Sequence, residues 1–308
     1  MTQTQTTMAA ATPAPKTRRR ATSSREGQPQ KAGWFARIVV FILCFLWIVP
    51  VIGLLLTSFR PRDDAQNTGW WTLFWTPSAW SRMTFDNYTT AIDRGGLGEA
   101  FINSLAITLP ATFIPVLVAA FAAYAFTFME FPGRNFLFLA VVSLLVVPNY
   151  IAFVPILRIY GDLELAGTFP AVWLAHIGFG MSLAIYILRN YMATLPKSLI
   201  ESAKIDGASH FQTFFRLVLP MSVPALAAFA IFQFLWVWND LLVALIFVGP
   251  GDNAPITVAL RNNLMGQAGS GQHLITAGGF LSMVLPIVVF LLMQRFFVRG
   301  LTAGAVKG

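Results

Sequence analysis

The chain has 308 residues, of which 56% are hydrophobic and only 11% are charged, whereas about a quarter of the residues in an average soluble domain are charged. The apolar residues come in long blocks, so the composition excludes an ordinary soluble protein and indicates a membrane protein. A formal charge of +8 is also typical of nucleic-acid-binding proteins, but the basic residues lie between the apolar blocks and near the N-terminus. We therefore expect membrane lipid, and no nucleic acid, among the partners.

Residues 1–33 differ in composition from the rest of the chain. They are rich in Thr, Ala, Pro, Gln and Arg and hold few apolar side chains, so they are predicted to be a disordered cytoplasmic tail. The apolar run that follows, residues 36–58, is too long for the core of a typical signal peptide. It is predicted to be an uncleaved first membrane span.

Six apolar segments, each of about 20 residues or more, follow one another along the chain. A helix of ~20 residues with a rise of ~1.5 Å per residue crosses a ~30 Å hydrocarbon core. The lack of period-2 alternation favours helices over a β-barrel. We predict an all-α, polytopic membrane protein in which residues 34–308 form one transmembrane domain. The predicted spans are residues 36–58, 101–127, 136–158, 171–191, 222–248 and 277–298.

The Lys and Arg residues are divided unequally between the two sides of these spans. With the N-terminus inside, 15 cations fall on the inner side and 6 on the outer side, and the positive-inside rule then places both termini in the cytoplasm. Without the tail the margin falls to 9 against 6, so the tail matters to this orientation. Residues 192–221 are then predicted to be cytoplasmic, and residues 59–100 and 249–276 to be external.

Four tryptophans follow the first span on the predicted outer side. Clustered Trp is typical of a membrane interface, so residues 59–100 either lie partly on the bilayer or form a small external cap packed by these rings. The four are Trp70, Trp71, Trp75 and Trp80.

The longest predicted internal connection, residues 195–224, joins the fourth and fifth spans and is predicted to form two short helices with a break. Gly207 would end the first helix and Ser209 would cap the second. Ile200, Ala203 and Gly207 share one face at helical spacing. Such a face of small residues suits docking into a groove of a partner protein.

The same loop has an alternative interpretation as an amphipathic helix lying on the inner leaflet. In that case Glu201 would only pair with Lys197 one turn away. In either case Pro220 and Pro224 are predicted to set the turn into the fifth span. The pattern of residues alone leaves both interpretations open.

This loop contains the motifs Glu201-Ser202-Ala203, Asp206-Gly207-Ala208 and Leu219-Pro220. Together they resemble the EAA loop of binding-protein-dependent ABC importer permeases. That loop has a Glu-Ala-Ala triplet, a Gly a few residues further on and a Leu-Pro near its end. Ser202 stands where the second residue of the triplet is usually Ala, and Ser is small enough to preserve a docking face. The resemblance implies contact with an ATPase subunit for Glu201, Ser202, Ala203, Asp206, Gly207, Ala208, Leu219 and Pro220.

The resemblance covers residues 34–308 and is to the carbohydrate branch of these permeases. The ending, residues 298–308, is similar to that of the MalG-like permeases of maltose-type systems. Other motifs that carry it are Thr57-Ser58-Phe59, Phe131-Pro132-Gly133-Arg134 and Trp238-Asn239-Asp240.

The resemblance implies the transmembrane domain of a type I ABC importer in the bacterial inner membrane. Its partners would be a second homologous permease subunit, two ATPase subunits and an external solute-binding protein. The chain has no G-x-x-x-x-G-K-[S/T] motif, so we expect no enzyme activity and no cofactor in this subunit, with ATP-Mg bound by the ATPase subunits. The three histidines share no ligand spacing, and no metal is expected.

The implied activity is the import of a sugar, such as the α-glucosides maltose, trehalose or sucrose. One alternative is a permease subunit for another sugar or for glycerol-phosphate. The other is a stand-alone secondary transporter, which usually has buried acidic residues at mid-membrane. Here Asp240 is the one candidate of that kind.

Two further groups of polar residues are candidate sites. Asn239 and Asp240 lie in the outer third of the predicted fifth span, where they either line the translocation path or hydrogen-bond a neighbouring helix end. Gly251, Asp252 and Asn253 lie in a predicted flexible external loop. In maltose-type systems the matching loop reaches into the binding protein, so these three are predicted to contact it; the alternative is a plain surface turn.

Further predictions concern Cys44, the C-terminal residues and His176. Cys44, the single cysteine, is predicted to be a small buried hydrophobic side chain. Residues 300–308 either thread between the two ATPase subunits or form a disordered end. His176 lies in the fourth span, and no residue of this chain is predicted to bind the sugar.

The predicted topology can be tested by cysteine labelling of variants that lack Cys44. Lys204→Cys should be protected from an impermeant thiol reagent added outside intact cells, and Asp252→Cys should be labelled, because the two loops lie on opposite sides. Labelling of position 204 from outside would contradict this orientation.

Overall fold

A computed structural model of the protein describes residues 33–265 and 271–305, with side chains up to residue 294. All regular secondary structure within these residues is helical, which confirms the all-α prediction. Except for Gly33, the predicted disordered tail lies outside the described residues. The same holds for the end of the chain from residue 306 onward.

The helices are α1 (Trp34–Ser58), α2 (Arg62–Asn67), α3 (Asp86–Asp93), α4 (Leu97–Phe128), α5 (Arg134–Ser143), α6 (Phe153–Asp162), α7 (Phe169–Met192), α8 (Lys197–Ile205), α9 (His210–Thr213), α10 (Leu219–Trp238), α11 (Leu242–Phe247), α12 (Ile256–Ala259) and α13 (Gln272–Ala305). Short 3₁₀ helices cover Trp70–Phe74, Pro77–Arg82, Leu144–Val146 and Asn149–Ala152, and π-helical turns cover Phe214–Val218 and Leu260–Met265.

Five helical stretches in the described residues are long and apolar enough to cross a membrane. They correspond to the first, second, fourth, fifth and sixth predicted spans. The third is not one continuous helix: it bends by 93° between Arg134–Val146 and Asn149–Asp162. The predicted third span, residues 136–158, is therefore a bent pair of helices and not one uninterrupted helix, because Pro148 has no N–H to donate and disfavours a helical conformation at the residue before it.

The fifth span begins and ends earlier than predicted. It runs from His210 to Trp238, so the second helix of the predicted loop is the first part of this span. Pro220 and Pro224 lie inside it, and the predicted turn at these prolines is wrong. The chain leaves the helix after Trp238 and forms the separate short helix α11, so the predicted end at residue 248 is also wrong.

The chain divides into two compact units between Ile48 and Val49, inside α1. In the described part of the first unit nearly every side chain is exposed. Cys44 is among the exposed residues, so the prediction that it is buried is wrong. A helix that is apolar on all sides can present such a residue to lipid as well as to a protein core.

Three long helices, α4, α7 and α10, pack against one another at the centre of the second unit, and α13 packs against α10. The C-terminal halves of α4 and α7 approach closely because small residues line both. Ala119, Ala120, Ala123 and Ala184 are at most 1% exposed, as expected where helix backbones come near each other in a membrane. This cluster also includes α8 and the beginning of the fifth span.

The segment between α1 and α4 contains the four tryptophans. Trp70 packs on Gly53, where a Cβ would lie 2.4 Å from the Trp70 indole Nε1. Trp71, Trp75 and Trp80 remain 53%, 70% and 48% exposed. Trp70 is therefore packed as a cap requires, while the other three rings are exposed, and their position at a bilayer surface stays a prediction.

Candidate functional site

The first helix of the loop between the fourth and fifth spans ends at a glycine. Gly207 follows α8 with φ of 77°. The Ala208 N–H donates to the Ala203 carbonyl at 2.9 Å, and the Gly207 N–H donates to the Lys204 carbonyl at 3.1 Å. These two bonds form a Schellman motif, which needs a left-handed residue at the position of Gly207. The predicted helix end is found at this residue.

The second helix begins with a capping box. The Ser209 N–H donates to Gln212 Oε1 at 2.9 Å, and the Gln212 N–H donates to Ser209 Oγ at 3.3 Å. Both donors would otherwise be unpaired at the start of α9. The predicted cap at Ser209 is thus present, and the two helices are joined by a short, hydrogen-bonded turn.

The face of α8 expected to dock on a partner is partly turned inward. Ile200 and Ala203 are 4% and 9% exposed, and Ile200 belongs to the core cluster with α4 and α7. The expectation that these two side chains lie on an exposed face is wrong, because helical spacing shows which residues share a face but not what that face contacts. The remaining candidates on the outer surface are Glu201, Ser202, Asp206 and Gly207.

Exposed apolar side chains surround these polar residues, and sequence reasoning did not single them out as a surface. Leu199, Ile205 and Phe211 are 44%, 86% and 68% exposed. The spacing of Ile205 from Ile200 and Ala203 places it on a different face of the helix from these two buried residues. An apolar residue off the apolar face is the sequence signal that could have identified it. Together with Glu201, Ser202, Asp206 and Gly207 they form what we call the loop surface.

A cluster of aromatic side chains packs the start of the fifth span, next to the loop, against the C-terminal part of α4. Phe214 is buried and stacks on Phe121, with ring centroids 4.6 Å apart, and also contacts the ring of Tyr124 at 5.4 Å. The Tyr124 hydroxyl and His210 Nδ1 are 3.1 Å apart and share a hydrogen bond. The start of the fifth span is therefore fixed to α4, and a displacement of the loop would be transmitted to both helices.

Leu219 and Pro220 lie in the fifth span itself, more than two helical turns after its start at His210. The π-helical turn Phe214–Val218 comes directly before them. Pro220 has no N–H to bond a carbonyl in the preceding turn, and a local widening is a common way for a helix to accommodate such a loss. These two residues therefore belong to a continuous rod that joins the loop to the membrane span.

Asp240 caps a helix at the outer end of the fifth span. Its Oδ2 accepts hydrogen bonds from the N–H groups of Val243 and Ala244 at 2.8 and 3.1 Å. Its carbonyl accepts from the Thr257 hydroxyl at 2.7 Å. This is the arrangement expected if Asp240 bonds a neighbouring helix end, and it gives the carboxylate a structural partner at the start of α11.

Asn239 stands beside this cap and is exposed. Its Nδ2 donates to the Leu235 carbonyl at 2.7 Å, which pairs one carbonyl at the end of α10. A role for Asn239 and Asp240 in the translocation path stays a prediction.

The predicted binding-protein loop is exposed at its tip and held at both sides. Gly251, Asp252 and Asn253 are all exposed. Asn103 Nδ2 of α4 donates to the Asp252 carbonyl at 2.6 Å, and Asn253 Nδ2 donates to the Gly167 carbonyl at 3.0 Å. The loop is therefore less free than its Gly and Pro content suggests, while its tip remains open to a partner.

The comparison with known families agrees with this architecture. The chain belongs to the family described as "binding-protein-dependent transport system inner membrane component", which matches residues 30–303. It is accordingly a subunit of an inner-membrane transport system, as the resemblance of its loop and spans implies.

Curated relatives cover nearly the whole chain. An osmoprotective compounds uptake permease, GgtD of Synechocystis sp., is 53% identical over 88% of this chain and 91% of its own length. The α-glucoside transport system permease AglG of Rhizobium meliloti is 37% identical, with 89% and 97% covered. The trehalose transport system permease SugB of Mycobacterium tuberculosis is 38% identical, with 85% and 93% covered.

Two solved structures share the fold. One is a bacterial alginate ABC transporter in complex with an alginate pentasaccharide-bound periplasmic protein, with a TM-score of 0.59 and 16% identity over 86% of this chain and 94% of that chain. The other is a bacterial ABC transporter involved in alginate import, with a TM-score of 0.61 and 16% identity over 86% and 96%. Both confirm the architecture of an ABC importer transmembrane domain.

The role of the loop surface can be tested with Glu201→Ala. A carboxylate that pairs with a basic group in a docked interface loses a buried ion pair, at a cost of ~3–5 kcal/mol. An exposed pair contributes only ~0–1 kcal/mol. We expect solute uptake by the assembled transporter to fall at least about 100-fold, the equivalent of ~3 kcal/mol, while the variant still inserts in the membrane.

Matched variants separate docking from a role on the lipid surface. Ser198→Ala, at another exposed position of α8, is the control and should transport normally. Gly207→Asp should fail like Glu201→Ala, because a side chain is strained at a φ of 77° and would project into open space on the loop surface. Normal transport and normal co-purification of an ATPase subunit with both variants would rule out docking.

Proposed function

We propose that this chain is one of two permease subunits of an ATP-driven importer that carries α-glucosides such as trehalose, maltose or sucrose into the cytoplasm. The observation that carries the proposal is the loop surface, an exposed patch on a rigid two-helix loop that is continuous with a membrane span. Relatives named as α-glucoside and trehalose permeases, each at least 37% identical over most of the chain, support the substrate class.

The proposed partners are inferred from the missing ATP-binding motif and from the two exposed surfaces of this subunit. Its sequence contains no phosphate-binding loop motif, so ATP-Mg would be bound and hydrolysed by two separate ATPase subunits. A second, homologous permease would complete the membrane pathway. An external solute-binding protein would deliver the sugar at the tip formed by Gly251, Asp252 and Asn253, on the side opposite the loop surface.

The loop geometry supports a mechanical link between the ATPase and the membrane spans. When the ATPase subunits close around ATP, they would displace the loop surface. The fifth span would follow because it is continuous with α9, and α4 would follow because Phe214 and His210 fasten the loop to it. The spans would then rock between inward-open and outward-open packings, with ATP and the loaded binding protein biasing the two states.

The proposed orientation places the loop surface in the cytoplasm. The positive-inside count supports it. Both termini would then lie in the cytoplasm, where residues 300–308 are proposed to reach the ATPase subunits.

A small osmoprotective solute is a second candidate substrate. It is favoured by the 53% identity to a permease named for the uptake of osmoprotective compounds. The two proposals share the same architecture and the same coupling loop, and they differ only in what the pathway accepts.

Transport by the complete complex in proteoliposomes distinguishes these substrates. We expect ATP-dependent accumulation of at least one radiolabelled α-linked disaccharide from the set trehalose, maltose and sucrose, but not of the β-linked disaccharide cellobiose. A complex whose ATPase subunits cannot hydrolyse ATP is the control. Uptake of glycine betaine or glycerol-phosphate, with no uptake of the three disaccharides, would contradict the α-glucoside assignment.

A further inference from the structure

The bend in the third span interrupts a helix near the centre of a membrane segment. Val147 and Pro148 both have ψ of 120°, an extended conformation that cannot continue the hydrogen bonds of an α-helix. Short 3₁₀ turns lie on either side, and the two arms meet at 93°. The bend lies in the middle of an apolar segment whose two arms together are long and apolar enough to form one membrane span.

Non-helical backbone at such depth is stable only where protein covers it or where it lines a water-filled cavity. Residues 143–151 are exposed, so the part of the chain that the structure describes does not cover the bend. A cavity of about 610 Å³ lies beside it, between the bend, α7 and α10. This volume falls in the range of sites for small ligands, roughly 300–1,000 Å³.

The wall of this cavity contains a buried amide with an unpaired oxygen. Gln233 of α10 is completely buried, and its Nε2 donates to the Ala111 carbonyl at 3.2 Å and more weakly to the His176 carbonyl at 3.5 Å. Its Oε1 has no hydrogen-bond partner among the described residues. In a membrane interior an unpaired carbonyl oxygen costs several kcal/mol unless something occupies it.

Gly180, which also lines the cavity, packs directly against this amide, whose oxygen is buried. A Cβ at Gly180 would lie 2.7 Å from Gln233 Oε1. A larger residue there would displace or cover the amide. Asn149 and Trp236 line the same cavity, so its lining residues include a second amide and an aromatic residue.

We propose that this cavity is a sugar-binding subsite of the translocation path, contributed by this chain at the bend of its third span. The inference rests on the proposed function and adds to it the site that receives the sugar. A sugar hydroxyl is the donor that Gln233 Oε1 lacks, and the apolar C–H face of a sugar ring can pack on Trp236. A lipid chain supplies no donor and would leave the oxygen and the bend unsatisfied.

Adjacent valines provide a matched test of whether the cavity opens to water in the assembled transporter. Val147 lines the cavity, whereas Val146 is 84% exposed and does not. With Cys44 replaced by Ser, we expect a charged methanethiosulfonate reagent to modify Val147→Cys and to leave Val146→Cys unmodified. Lack of reaction at position 147 would overturn the proposal, since the cavity would then face lipid or be filled by the second permease.

Protection by the transported sugar tests the substrate class. Using whichever of trehalose, maltose or sucrose the complex imports, with ATP and binding protein present, we expect modification of Val147→Cys to slow about fivefold. That corresponds to ~1 kcal/mol, the usual net contribution of one hydrogen bond. A reactive position 147 that the sugar does not protect would overturn the subsite while leaving the importer assignment intact.

The Gln233 amide can be tested separately with Gln233→Met, which keeps length but removes the acceptor and the donor. We expect about fivefold slower uptake with the assembled complex still present. Gly180→Ala should act in the same direction, because the added Cβ would lie 2.7 Å from Oε1 and would displace the amide. If the unmodified complex transports none of the three disaccharides, the proposed function is contradicted, and the proposed sugar subsite is contradicted with it.

Discussion

Buried or membrane-embedded backbone N–H and C=O groups must find partners within the protein, and this requirement accounts for the hydrogen bonds at the described helix ends of this chain. At the outer end of the fifth span, Asp240 supplies its carboxylate to two N–H groups of the next helix. At the loop, Gly207 and Ala208 bond the last carbonyls of α8. At the bend beside Pro148 the described residues provide no cover, and this exposure is the basis for proposing a water-filled path there.

The continuity of the fifth span supports the proposed transmission of motion from the loop to the membrane spans. Because α9, the π-helical turn and α10 are continuous, the loop is the exposed end of a membrane helix and not a flexible connection. Phe214 and His210 then join that helix to α4 through contacts with Phe121 and Tyr124. Packed cores switch between discrete arrangements, so a push at the loop surface can be converted into a change of packing among the spans.

Hydropathy was sufficient to predict five of the spans, because burial in lipid selects for long apolar runs whatever the packing. The helix end at Gly207 and the helix cap at Ser209 could also be predicted from the sequence, since a left-handed glycine and a capping serine act on the neighbouring backbone. The bend at Pro148 lies within an apolar run, and hydropathy does not register the loss of one N–H. Its signal was the proline itself, which has a direct effect on the backbone.

Other features depend on contacts that no local pattern specifies. The periodicity of α8 placed Ile200 and Ala203 on one face, but only the packing of α4 and α7 shows that this face is buried. Ile205 is exposed because it lies on the opposite side of α8 from this buried face. Gln233 appears in the sequence as one amide within an apolar helix, and its unpaired oxygen becomes visible only once Gly180 and the bend are placed beside it.

The most direct measurement of the central claim is photo-crosslinking from the loop surface in the assembled complex. A photoreactive phenylalanine analogue at Ile205, which is 86% exposed on the loop, should give a covalent product with an ATPase subunit. The same analogue at Ile287, a 46% exposed position on α13, is the control and should give none. A product with lipid alone at position 205 would contradict the account, since the loop would then lie on the membrane and could not couple ATP hydrolysis to transport.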